Sequence, residues 1–177
     1  MRKIYYLFII CLTAMNTAGV YGQDNSKETL SKWWSVDACY ILGTSHNQLT
    51  PQAVAVDGIV NIAKNFQVFG RFEREYTRYK MSDDTKLWMD GYNLGGGLSI
   101  LTKADAEGRG ALRLAVLNSI GSADWKHTVY QSSLAFYGMK EGNTDAPFVE
   151  IGYRYNKSHS AGISDCSSMF VAFGYCF

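Results

Sequence analysis

From Trp33 onward the chain alternates, residue by residue, between an apolar face and a mixed polar face, in eight separate runs. A period of two belongs to extended strands that keep one face against apolar surroundings. The last run is the clearest. Met169, Val171, Phe173, Tyr175 and Phe177 share one face, with Ala172, Gly174 and Cys176 on the other. Earlier runs repeat the pattern over Trp34 to Leu42, Val54 to Ile62, Phe66 to Glu75, Tyr92 to Ile100, Leu112 to Ile120, Thr128 to Tyr137 and Val149 to Tyr155. In strand six, Thr128, Tyr130, Ser132, Leu134 and Phe136 are expected outward, with Gln131, Ser133, Ala135 and Tyr137 inward. Polar or glycine-containing stretches separate the runs: Thr44 to Pro51, a tight turn at Ala63-Lys64-Asn65, Lys80 to Lys86, Thr102 to Gly110, and a turn around Gly142 and Asp145.

Each run is about 10 residues long, the length of a tilted strand that crosses a bilayer. Eight is an even number, as a closed single-chain barrel requires. The expected fold is therefore all-β: an eight-stranded antiparallel up-and-down transmembrane β-barrel following a cleaved signal peptide. A soluble lipocalin-like barrel has the same period with its faces reversed, apolar inside and polar outside. Here the non-apolar face is rich in Gly, Ala, Ser and Cys with isolated charges, which suits a narrow, filled lumen. Trp33, Trp34, Tyr76, Tyr79, Trp88, Trp125, Tyr155 and Tyr175 fall toward strand ends, as interfacial aromatic girdles do. Gly95-Gly96-Gly97 reads as strand curvature, since no helix-opening phosphate loop surrounds it.

The amino-terminal end has the make-up of an export signal. Arg2 and Lys3 precede an apolar core from Ile4 to Leu12, too short to span a bilayer, and Val20-Tyr21-Gly22 offers the small residues of a cleavage site. A signal peptide is expected over residues 1–22, with Gln23 the first mature residue, a short periplasmic lead-in over 23–32 and the barrel over 33–177. Cys11 lacks the preceding small residue of a lipoprotein signal, so cleavage without lipid anchoring is the expectation. Export leaves Cys39, Cys166 and Cys176, an odd number that permits at most one disulfide. Their spacing fits no zinc pattern, and no metal or other cofactor is expected. The formal net charge of +1 argues against nucleic acid as a partner.

Strand parity places Asp37, Asp57, Glu73, Glu75 and Glu150 on the lumen side together with Arg71, Arg113 and Arg154. An eight-stranded barrel is just wide enough to be filled by side chains. Buried charges of mixed sign must then pair and hydrogen-bond. An ion path lined by the carboxylates is the functional alternative. His46, His127 and His159 fall in or beside loops assigned to the outer side, near Ser45, Ser160, Asp83, Asp84, Asp124 and Asp165; a histidine beside a serine could serve hydrolysis if a carboxylate oriented it.

The aromatic ending, with Phe173, Tyr175 and Phe177 as an insertion signal, resembles the carboxy-terminal signal of bacterial outer-membrane β-barrels. The whole mature pattern resembles the OmpA and OmpX transmembrane architecture, without a periplasmic peptidoglycan-binding domain. That resemblance implies an outer-membrane location and a structural or surface-interaction role, the lumen being filled rather than an open pore. It also implies a monomer among outer-membrane lipid and lipopolysaccharide, delivered by the barrel-assembly machinery. The segment Lys157-Ser158-His159-Ser160-Ala161-Gly162 is similar to the region where lipid A deacylase barrels carry His-x-Ser-Asn-Ala-Gly. Aligned on Ala161-Gly162, Lys157 stands where that family has its base histidine, and His159 where it has its nucleophilic serine. A shifted alignment would use His159 and Ser160, which makes a lipid A-modifying hydrolase at the outer leaflet the competing expectation.

Overall fold

The computed structural model describes residues 33–63, 65–81, 85–102, 108–138 and 145–177. The expected signal peptide and lead-in, together with Asp83, Asp84 and Gly142, lie outside the described residues. In chain order the strands are β1 (Trp34–Gly43), β2 (Leu49–Ala63), β3 (Phe66–Lys80), β4 (Lys86–Leu101), β5 (Arg109–Ile120), β6 (His127–Tyr137), β7 (Ala146–Ser158) and β8 (Cys166–Cys176). Each pairs antiparallel with the next, and β1 pairs with β8, so the sheet is a closed eight-stranded up-and-down barrel.

Closure is staggered. From Trp33, bonded to Asn61, the ladder runs through Gln67, Ser99, Arg113, Ser133, Gly152 and Phe170 and returns to β1 at Gly43. The circuit enters at position 33 and comes back at position 43, a shear that tilts every strand against the barrel axis. The seam is continuous from Asp37↔Cys176 to Gly43↔Phe170, and Phe177 and Val36 exchange backbone hydrogen bonds beyond it.

The two faces of every strand follow the alternation in the sequence. Val36, Val56, Phe72, Leu94, Val116, Leu134, Ile151 and Val171 are among the outward set; Asp37, Asp57, Arg71, Asn93, Arg113, Gln131, Glu150 and Phe170 are buried inward. Strand six keeps its expected register, except that Thr128 is buried although it belongs to the outward set, because its hydroxyl lies against Asn118 and His159.

The strands near the loop end run longer than expected. β2 begins at Leu49 and takes in Pro51, within the stretch expected to be a polar interruption. A proline fits there because β1–β2 pairing stops at Leu42↔Gln52, and its ring lies where a side chain on Gly43 would stand, 2.8 Å from Cγ. Asn47 and Gln48 turn this hairpin with positive φ, the conformation that matches strand twist. Lys80 and Lys86 likewise pair as strand residues instead of forming a loop. On β4, a Cβ at Gly95 would strike the Val116 carbonyl, and one at Gly97 would strike the Leu114 carbonyl and the Phe69 ring. Those glycines let β4 and β5 approach closely.

Candidate functional site: the filled lumen and its mouth

Five carboxylates and three guanidiniums are buried in the barrel among the described residues: Asp37, Asp57, Glu73, Glu75 and Glu150 with Arg71, Arg113 and Arg154. Strand parity sends all eight inward, and the stagger decides which of them meet. Arg71 grips Asp57 with two parallel bonds, Nε to Oδ1 at 2.6 Å and Nη2 to Oδ2 at 2.7 Å. It then reaches across the lumen from β3 to Gln131 Oε1 on β6 at 3.1 Å and Glu150 Oε2 on β7 at 3.5 Å. Arg154 on β7 grips Glu73 on the opposite wall with bonds of 3.0 and 2.6 Å. Arg113 on β5 donates to Asp57 at 2.5 Å and Glu150 at 3.3 Å, and lies 3.6 Å from Asp37 on β1. Strands four apart in an eight-stranded barrel face each other, so the β3–β7 and β1–β5 contacts are diametric struts.

Neutral groups extend the network. Gln131 donates to Glu150 at 2.7 Å and accepts from Arg154 Nε at 2.9 Å. The hydroxyl of Ser133 donates to Glu150 at 2.5 Å, and that of Tyr137 to Asp37 at 2.8 Å. Phe69 lies under Arg113 at 4.3 Å and Phe170 under Arg154 at 5.2 Å, so aromatic faces occupy the space between ion pairs. Such bidentate, charge-assisted bonds are the strong ones, and at 0–1% exposure Arg71, Arg113 and Glu150 are shut off from bulk solvent.

A second polar cluster sits at the loop end. Glu75 accepts from Thr77 at 2.5 Å and Asn93 at 2.8 Å, and its Oε2 lies 3.1 Å from His127 Nε2. Nδ1 of the same ring lies 3.1 Å from the Trp125 carbonyl oxygen and 3.3 Å from Ser119 Oγ. Above the cluster, Trp125 stacks on the imidazole with centroids 4.0 Å apart and packs with Leu49, Met89 and Cys166, flanked by Tyr79 and Ile163. The mouth therefore has an apolar plug over a polar floor.

One expectation is refined and another corrected. His127 stands beside the β5–β6 loop as expected, but as the first residue of β6 it is buried inside the mouth. Trp125 does not join an interfacial girdle and Tyr79 only partly does, because both turn into the plug. Loop residues obey no parity, so nothing in the alternation announces an inward Trp125. Trp34, Trp88 and Tyr175 are exposed on the outward face, and Trp33, just before β1, is exposed.

The loop residues considered for hydrolysis are arranged otherwise than as base and nucleophile. His159 Nε2 lies 2.9 Å from Thr128 Oγ1, while Ser160 Oγ accepts from the Lys126 backbone N–H at 2.9 Å. No hydrogen bond joins His159 to Ser160 among the described residues. His46 bridges to Leu49 through its backbone, and Asp124 accepts from the Asp90 N–H at 3.0 Å. Asp165 accepts from Tyr155 at 2.5 Å and from the Ser158 N–H at 2.9 Å, bonds that hold its carboxyl below the usual range.

Among the described residues, Cys39, Cys166 and Cys176 are free and buried. Cys176 stands opposite Asp37 and Cys39 opposite Gly174, so the two cysteines at the seam are diagonal, not directly paired. Diagonal positions stand about 7–8 Å apart, beyond the usual reach of a disulfide.

With fold and interior in view, the class is plain: a closed up-and-down barrel of eight strands, apolar outside and charged inside. The solved structure of Neisserial surface protein A (NspA) is similar at a TM-score of 0.41, with 17% identity, over 81% of this chain and 94% of that one. The outer membrane channel DcaP of Acinetobacter baumannii is similar at a TM-score of 0.36, with 10% identity, over 86% of this chain; the match spans about half of DcaP, 55% of its length. No family model matches the sequence, and no curated protein does.

Proposed function

We propose that this chain is an integral barrel of the bacterial outer membrane, with a structural or surface-interaction role and a lumen closed to solutes. One observation carries the reading: the outward apolar belt is continuous around the barrel. Its members are Trp34 to Leu42 on β1, Val54 to Ile62 on β2, Phe66 to Phe72 on β3, Tyr92 to Ile100 on β4, Leu112 to Val116 on β5, Tyr130 to Phe136 on β6, Val149 to Tyr155 on β7 and Met169 to Tyr175 on β8 with Phe177 just beyond it, taking every second residue, with Ser132 the one polar member. Toward the loops the same face turns polar at Gln52, Arg74, Asp90, Asn118, Thr128, Lys157 and Ser167. Five outward positions span about 27 Å along a strand, or about 20 Å once a tilt near 40° is applied. With side chains added, that approaches a band of about 25 Å. Met169 at 61% and Phe173 at 55% exposure would be costly in water and are at home in lipid. Arg74, paired with Asp90 at 2.9 Å and set over the Tyr76 and Tyr92 rings at 4.9 and 5.5 Å, marks the belt's upper edge.

The diametric ion pairs support a closed lumen. Phe173, Tyr175 and Phe177, outward on β8, support recognition by the barrel-assembly machinery. Outer-membrane lipid and lipopolysaccharide are the partners the belt and rim would meet, with the protein as a monomer. The test is fractionation with gel migration before and after heating, together with planar-bilayer recording. Heat-modifiable protein in the outer-membrane fraction without steady conductance fits the proposal. Detergent-free extraction would overturn the membrane reading, and a stable open channel the closed lumen.

A further inference from the structure

We propose that His127 is a proton-operated latch for Trp125 of the β5–β6 loop, holding its ring over the mouth when protonated and releasing it when neutral. The geometry of the ring is the starting point. Nε2 faces the Glu75 carboxylate at 3.1 Å and Nδ1 faces the Trp125 carbonyl at 3.1 Å, and both of those partners can only accept. A ring between two acceptors satisfies both only as imidazolium, with a proton on each nitrogen. That charge also matches the interior, where five buried carboxylates face three guanidiniums.

The groups around His127 come from every wall of the mouth. β3 presents Glu75, with Thr77 above it and Glu73 below, the latter already gripped by Arg154 of β7. β4 presents Asn93, which bonds both Glu73 and Glu75. Ser119 comes from β5, Ser158 pairs with His127 from β7, and β8 adds the Cys166 thiol to the plug. Glu75 is the one carboxylate within ion-pair distance of the ring, and His127 is its only ion-pair partner at that distance among the described residues.

Loss of a proton has a defined consequence. The carboxylate is the stronger acceptor and keeps the Nε2–H. Nδ1 then bears a lone pair facing the Trp125 carbonyl, which repels it. Ser119 supplies the replacement: its hydroxyl, 3.3 Å from Nδ1, can turn from Asn93 Oδ1 to donate to the ring. Trp125 loses its carbonyl anchor and its stacking partner loses its charge, which leaves its Nε1–H bond to Ser158 at 3.1 Å and its apolar contacts. The residues on either side stay bonded, Asp124 to Asp90 and Lys126 to His159 and Ser160, so the residue that is freed is Trp125 itself. The imidazolium is the form that gains a partner on folding, so the closed mouth is favoured at low pH and lost as pH rises through the pKa of the folded state.

The test uses the full barrel, folded in detergent and verified by heat-modifiable migration, with Trp33→Phe, Trp34→Phe and Trp88→Phe leaving Trp125 as the sole tryptophan. Acrylamide quenching of Trp125 should rise in a single step as pH is taken from 5 to 10. His127→Gln should abolish the step. Glu75→Gln should lower its midpoint by about one pH unit or more, because the opposing charge is gone, and Ser119→Ala should raise it, because the neutral ring loses its donor. Quenching that stays flat from pH 5 to 10 in the folded barrel would overturn the latch. So would an unaltered step in His127→Gln or, should that variant not fold, an unmoved midpoint in both Glu75→Gln and Ser119→Ala.

Discussion

The outside and the inside of this barrel solve opposite problems with the same strands. The exterior is redundant: Val, Leu, Ile, Phe and Tyr recur at its positions, and any of them would serve an apolar belt equally well. The interior is particular. Arg71 has Asp57, Gln131 and Glu150 as partners, and a lysine could not reproduce its bidentate grip. The contrast implies that exterior substitutions are judged by polarity and depth, whereas interior ones are judged by which partner is orphaned.

The largest effect should come from the interior. Arg71→Met leaves Asp57 and Glu150 short of a partner in a buried lumen, and should lower unfolding stability by about 3–5 kcal/mol, the cost of breaking a buried ion pair. Urea unfolding followed by gel shift would measure it; a loss below about 1 kcal/mol would mean that water reaches the network. The exterior is next. Leu114→Arg, at mid-belt, should cost about 2–4 kcal/mol, while Asn118→Arg, two outward positions higher, should cost about 0–1. Equal costs at the two depths would remove the basis for a lipid belt.

The third test lies where the faces share a wall. Gly97→Ala drives a methyl group toward the Leu114 carbonyl and the Phe69 ring and should cost about 1–3 kcal/mol through overpacking. Gly58→Ala, outward with nothing near its Cβ, is the control expected to be neutral. The smallest effect belongs to the β7–β8 loop. The folded Asp165 carboxyl titrates below its unfolded value, so its contribution is present above the usual carboxylate range and fades as pH falls through the folded pKa. Protease cutting of that loop should rise on acidification in the parent protein, and Asp165→Asn should flatten the dependence.

Which half of this was legible follows from the same contrast. Parity is local, so the two faces of all eight strands could be read from residues such as Phe72 beside Glu73. Partnership is not local. Arg154 meets Glu73, and His127 meets Glu75, through a ten-position stagger that accumulates over the whole circuit and leaves no trace in any one run. Gln131 looked like one more inward polar residue, yet it is the hinge between two arginines and Glu150. The alternation breaks from Thr44 to Pro51, so no parity announces Pro51 as a strand residue; it is tolerated there by the bare backbone of Gly43.

The seam between β1 and β8 bears on how such a molecule is made. Every other strand pair joins neighbours in the chain and can zip up early, but Asp37 must wait for Cys176. Closing so long a loop is entropically costly and comes late. Until then β1 and β8 each present a row of unsatisfied amides and carbonyls, and a second unfinished chain could bind there as readily as the proper partner. The hazard of this architecture is therefore one of timing: the finished barrel offers nothing to pair with, and the nearly finished one offers two sticky edges.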